Sequence, residues 1–183
     1  MAKTLQQVID ELVGREGGYT NHPADRGGPT RWGVTEQVAR AYGYRGDMRA
    51  LPRETAEDIY RKRFWFGPKF DQVAKRYPRV AEELLDTGVN MGQTIAAGFL
   101  QRALNLLNRE ASDYPDIGVD GNIGPMTLHA LDAFKAKRGA EGEAVLLKAL
   151  DGFQVSRYAD ITEARPKNEA FFYGWIANRI GQG

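Results

Sequence analysis

Cysteine is absent from the chain. That removes disulfides, thiolate metal sites and thiol nucleophiles from consideration. Histidine is scarce. His22 and His129 are the only two, far apart and outside any ligand-spaced motif, so neither a metal nor a cofactor is expected. No apolar run approaches the roughly 20 residues of a membrane span. The N-terminus carries Lys3 and then an amphipathic pattern, not the continuous apolar core of a signal peptide. The expectation is a protein made in the cytoplasm that reaches any outside substrate, in periplasm or wall, by release or export.

Charge of one sign is also missing. Lys and Arg number 25 against 24 Asp and Glu, for a net charge of +1. Cations and acids are mixed along the chain, without the basic face of a nucleic-acid protein, so no such partner is expected. A local basic patch would still suit an anionic cell wall. Repeats, low-complexity runs and long linkers are absent as well.

What is there is a hydrophobic content of 42% in 183 residues, enough for one domain or two small ones packed together. A monomer is expected. Helical periodicity dominates, so the class is mainly α, with at most a small β-hairpin near residues 17–35.

The chain is organised around its first helix. Leu5, Val8, Ile9, Leu12 and Val13 recur at the spacing of a core-facing stripe. Glu16 follows Leu12 by four residues and Ile9 by seven, so it points with the core. Gly17 and Gly18 then end the helix through positive-φ conformations. Partial burial and the negative end of the helix dipole both favour the protonated carboxyl, which is what a general acid needs. The plainer alternative is a helix-ending Glu that bends to solvent or pairs with an arginine.

A polar loop rich in Gly and Pro follows. It carries Asp25 nine residues after Glu16 and Thr30 five further on. Folded back across the helix end, it sets a second carboxylate and a hydroxyl opposite the first. Facing carboxylates are the usual equipment for breaking a glycosidic bond, with Thr30 placed to help hold water.

The run Glu16-Gly17-Gly18-Tyr19, then Asn21 through Thr30, and Gly33-Val34-Thr35 resembles glycoside hydrolase family 108. These are peptidoglycan muramidases, many of them phage endolysins. The Glu, Asp, Thr order also resembles the phage-type lysozymes. The resemblance implies a lysozyme-like helical fold and a bacteriolytic activity on the β-1,4 bond between N-acetylmuramic acid and N-acetylglucosamine. It implies Glu16 as catalytic acid, with Asp25 and Thr30 positioning water. Tyr19 and Asn21, within the motif, become substrate contacts. A lytic transglycosylase using Glu16 alone, and a non-catalytic wall-binding or secretion-assisting protein, are the alternatives.

Further helices are expected over 33–44, with Thr35 as N-cap and Gly43 as stop, and over 52–65, with Ala56, Ile59, Tyr60 and Phe64 inward. Trp65 and Phe66 are either core anchors or rings that stack on sugar. Over 79–92, Val80, Leu84 and Thr87–Gly88 face inward. Asp86 and Asn90 share a face, and Asn90-Met91-Gly92 resembles the family's second motif. Asn90 is a substrate contact or a helix cap. Residues 93–109 read as the scaffold helix of the second half. Asp120-Gly121-Asn122 with Gly124-Pro125 resembles a motif of peptidoglycan-binding modules. Asp120 and Asn122 contact glycan or stem peptide, or form a helix-entry turn. A calcium loop is disfavoured because alternating oxygen ligands are missing. Gly139 and Gly142 are expected to break the helix over 126–137 before another over 143–164.

The tail, residues 166–183, either packs back on the core or contacts an outer membrane. The division expected is a catalytic region over 1–91 and a helical peptidoglycan-binding region over 92–183 packed against it, with glycan strands as the partner.

Overall fold

The computed structural model describes residues 3–15, 17–21 and 28–181, with Arg15 described through its backbone alone. Contacts divide the chain into two compact units, Met1–Gly67 and Pro68–Gly183. The fold is mainly α and lysozyme-like, with one small antiparallel sheet.

In the first unit α1 spans Leu5–Arg15. Thr4 and Gln7 start it by reciprocal capping: Gln7 N–H donates to Thr4 Oγ1 at 3.2 Å, and Thr4 N–H donates to Gln7 Oε1 at 2.8 Å. Two of the helix's orphan donors are satisfied in this way. Val8, Ile9, Leu12 and Val13 are buried, as the stripe requires. Of the two glycines beyond, only Gly18 takes a positive φ, 111°. Gly17 serves by size: a Cβ there would stand 3.1 Å from the Val13 carbonyl oxygen.

The β element near residues 17–35 has three two-residue strands, β1 (Tyr19–Thr20), β2 (Thr30–Arg31) and β3 (Val34–Thr35), in the order β1-β2-β3. Helix α2 (Glu36–Tyr42) follows directly. Thr35 Oγ1 accepts from Val38 N–H, and Gly43 closes the helix at φ 106°. Both ends fall where turn chemistry puts them. Asp47 caps a 3-10 turn over Met48–Ala50, and α3 covers Arg53–Ile59.

The chain then widens into a π-helix over Tyr60–Phe66. Gly67 N–H reaches back five residues to the Lys62 carbonyl at 2.9 Å. The stripe expected to run through Phe64 is corrected here. Ala56, Ile59 and Tyr60 are fully buried, Phe64 is half-buried, and Trp65 is the next buried side chain. A wider turn carries the inward position one residue along, which periodicity at 3.6 does not anticipate.

The second unit is a helical assembly. It comprises α4 (Phe70–Ala74), α5 (Pro78–Met91), α6 (Gln93–Leu107), α7 (Pro125–Arg138), α8 (Glu141–Glu163) and α9 (Glu169–Arg179). As expected of a scaffold, α6 packs on α5, α7 and α8, burying Ala96, Ala97, Leu100, Ala103 and Leu104. Gly88 lets the Phe70 ring approach: a Cβ there would lie 3.3 Å from it.

Gly142 does not break a helix. Gly139, at φ 61°, ends α7, and Gly142 lies inside the first turn of α8. Its missing side chain makes room for Tyr77, Phe134 and Arg138, which a Cβ would meet at 2.7, 2.8 and 2.9 Å.

The tail forms a 3-10 turn, Pro166–Asn168, and then α9. Trp175 of α9 stacks on Tyr158 of α8, with centroids 4.9 Å apart and planes 20° apart. Phe171 and Tyr173 remain exposed. Among the described residues no helix is long and apolar enough to cross a membrane.

Candidate functional site

The candidate active site grows from the end of α1 and the sheet after it. Two of its three expected catalytic residues, Glu16 and Asp25, lie outside the described residues. Thr30 lies inside them, at the centre of the sheet. Its register pairs it with Thr20 on one side and Thr35 on the other. The Thr30 hydroxyl donates to the Gly28 carbonyl at 3.1 Å, leaving its oxygen lone pairs free to accept.

The Thr20–Thr30 pairing closes the loop over 21–29 at its base. The stretch that bears Asp25 therefore leaves and returns beside a strand beginning three residues after Glu16. Tyr19 pairs with Arg31 across the ladder and is half-buried, with the Arg49 guanidinium 5.4 Å from its ring centroid. Asn21, next to the loop, is exposed.

The other edge of the sheet is held by Trp32 and Gly33. Both have positive φ, 55° and 73°, the geometry of a two-residue hairpin turn. A non-glycine residue is costly in that region, so Trp32 has to be held there. Its indole N–H donates to the Leu51 carbonyl at 3.0 Å, and its own carbonyl accepts from the Tyr60 hydroxyl at 2.9 Å. The Arg31 guanidinium lies over its ring at 5.2 Å. None of these anchors was read from the sequence. A Trp-Gly pair is a weak turn signal, and Tyr60 read only as an apolar stripe residue.

Trp65 is 7% exposed and Phe66 52%, so Phe66 is the ring of the pair that offers a face to solvent.

The remaining expected contacts lie in the second unit. Asn90, exposed near the end of α5, donates through Nδ2 to the Asp86 carbonyl at 2.8 Å and to Asp86 Oδ2 at 3.2 Å. The shared face read from their spacing is real. Asp86 is itself buried, with Arg179 Nη1 3.5 Å away. Glu83 is buried too, accepting from the Thr87 hydroxyl, which in turn accepts from Gln154 Nε2 at 2.7 Å. These inward carboxylates escaped the sequence reading because acidic residues on a helix are taken as its wet face.

Asp120 and Asn122 are exposed, but Asp120 is engaged. Gln101 of α6, 1% exposed, donates to Asp120 Oδ1 at 2.8 Å and to the Asn122 carbonyl at 2.9 Å. Its own oxygen accepts from Gly121 N–H at 2.8 Å. Asp120 Oδ1 also accepts from Asn122 N–H at 2.9 Å. The bond from Gln101 and then that from Asn122 hold the Asp120 carboxyl below its ordinary range. The helix-entry turn read from the motif is present, with Pro125 at the first turn of α7.

A mainly α fold whose first helix feeds a short sheet and a polar loop defines a lysozyme-like protein. The comparisons narrow that class. Residues 9–92 match the family Glycosyl hydrolase 108, and residues 95–180 match the family described as Predicted Peptidoglycan domain. The protein is thus a glycoside hydrolase that acts on peptidoglycan. Ten solved chains match it. One is the structure of Brucella abortus SagA, 25% identical, with a TM-score of 0.70 over 94% of this chain and 87% of that one. No curated protein matches. Helix α5 falls within the first family's match yet packs in the second compact unit.

Proposed function

We propose that the protein is a muramidase, with catalysis assigned to residues 1–91 and wall binding to residues 92–183. It hydrolyses the β-1,4 bond from N-acetylmuramic acid to N-acetylglucosamine. Glu16 gives its proton to the leaving O4 of N-acetylglucosamine. Water attacks C1 of N-acetylmuramic acid from the opposite face and yields its proton to Asp25. Thr30 accepts a hydrogen bond from that water through the lone pairs its bond to Gly28 leaves free. A single displacement of this kind inverts the anomeric centre and holds the two carboxyls about 6.5–9.5 Å apart.

The observation that carries the reading is the Thr20–Thr30 register. It ties the base of the Asp25 loop to a strand that begins three residues after Glu16 in the chain. The match to Glycosyl hydrolase 108 over residues 9–92 supports the same assignment. Tyr19, Asn21 and Phe66 are the proposed sugar contacts around this site. Periplasmic or wall-side action follows from the substrate.

Digestion of purified peptidoglycan tests it. New reducing ends of N-acetylmuramic acid, appearing first as the α-anomer in early NMR spectra, are expected. Anhydro ends would instead assign a lytic transglycosylase, and reducing N-acetylglucosamine a different bond.

A further inference from the structure

We propose that a groove formed by α5, α6, α8 and α9 takes the carboxylate-bearing end of a peptidoglycan stem peptide. This rests on the reading of peptidoglycan as substrate and adds a second recognition element to it. The groove has a volume of about 260 Å³, below the roughly 300–1,000 Å³ usual for a drug-sized ligand. That is too little for a disaccharide and suits one or two residues at a chain end.

Its chemistry is two-sided. Met91, Ile95, Ile161 and Trp175, all half-buried, supply an apolar bed, and exposed Arg157 and Asn90 supply the polar edge. Trp175 is already stacked on Tyr158, and Phe171 lies 6.0 Å from it at 26°. The ring is thus a wall, not a free platform for a pyranose face. Asn90 spends its amide hydrogens on Asp86, so what it offers as a lining residue of the groove is its side-chain oxygen, an acceptor for a peptide N–H. Arg157 forms no ion pair among the described residues and is the cation at hand for a carboxylate. An apolar bed for an alanine methyl, an amide acceptor and an arginine fit a stem peptide ending in alanine with a free carboxylate. Of the lining, Asn90 and Met91 fall in the first family's match and the rest in the peptidoglycan domain's.

The test uses the full-length protein. Calorimetric titration is run with a free stem tetrapeptide, its C-terminal amide, and peptide-stripped glycan, on wild type, Arg157→Gln and Arg157→Lys. Arg157 is exposed, and unchanged thermal midpoints verify the fold. The tetrapeptide is expected to bind. Amidation and Arg157→Gln should each weaken it about tenfold or more, as loss of a charge-assisted hydrogen bond does, and Arg157→Lys should recover part. Equal affinity for the amide, no effect of Arg157→Gln, preference for stripped glycan, or no peptide binding would each overturn the inference. Wall hydrolysis by the same preparation separates the two readings: turnover without peptide binding sinks this one alone, and absent turnover sinks the proposed function.

Discussion

The hydroxyl of Tyr60 donates to the carbonyl of Trp32 at 2.9 Å. This one bond ties the π-helix to the positive-φ turn that orders the sheet carrying Thr30. Tyr60 is fully buried, so Tyr60→Phe removes the bond with little change in packing. We expect a loss of about 1 kcal/mol in stability, read by denaturant unfolding. Wall hydrolysis should fall further than that stability loss explains, because the turn sets the position of the strand bearing Thr30.

A second test concerns Gly142. An added methyl would meet the Tyr77 hydroxyl, the Phe134 ring and the Arg138 Cβ, all inside 3.0 Å. Gly142→Ala has a helical backbone available, so propensity favours it. Overpacking of about 1–3 kcal/mol outweighs that gain. The variant should melt below wild type, while Gly152→Ala, on the same helix with open space around it, should melt at or above it.

Gln101 offers a third. Its amide holds Asp120, Gly121 and Asn122 together from a buried position. Gln101→Ala should cost about 2 kcal/mol through the polar groups it orphans. The Asp120 carboxyl should rise towards its ordinary value of 3.8, which a carboxyl-carbon NMR titration would register.

The dependence on acid has a definite sign. Asp113 is held low by the hydrogen bond from Arg109, with Lys137 and Arg138 adding to it, and Asp132 is held low by Arg76. Carboxyls whose folded pKa lies below the unfolded one stabilise the fold above the unfolded value, and that stabilisation is lost as pH falls through the folded value. The thermal midpoint should therefore drop as pH descends below 3.8. Asp132→Asn should begin lower at neutral pH and lose less on acidification.

Much of this fold was legible because it follows periodicity and punctuation. The α1 stripe, the Thr35 cap, the Gly43 stop and the central place of α6 are each fixed by spacing or by a residue with one favoured conformation. Where longer-range bonding decides, the sequence misled. Trp65 turns inward because the helix widens before it. Gly142 looks like a breaker and is a point of close approach. Glu83 and Asp86 carry no sequence signal of burial and are buried among partners from α5, α8 and α9. At the candidate site, the small β element expected near residues 17–35 is present, with Thr30 on its central strand. The anchors Leu51 and Tyr60 were invisible because a backbone carbonyl and a buried hydroxyl leave no pattern in sequence.

The most direct measurement is hydrolysis of purified peptidoglycan by wild type and Glu16→Gln, with thermal midpoints and circular dichroism taken on the same samples. Loss of a general acid costs about 10²–10⁴ in rate. A correctly folded Glu16→Gln enzyme should release new N-acetylmuramic acid ends at least a hundredfold more slowly. Near-normal release by a folded variant would contradict the account at its centre.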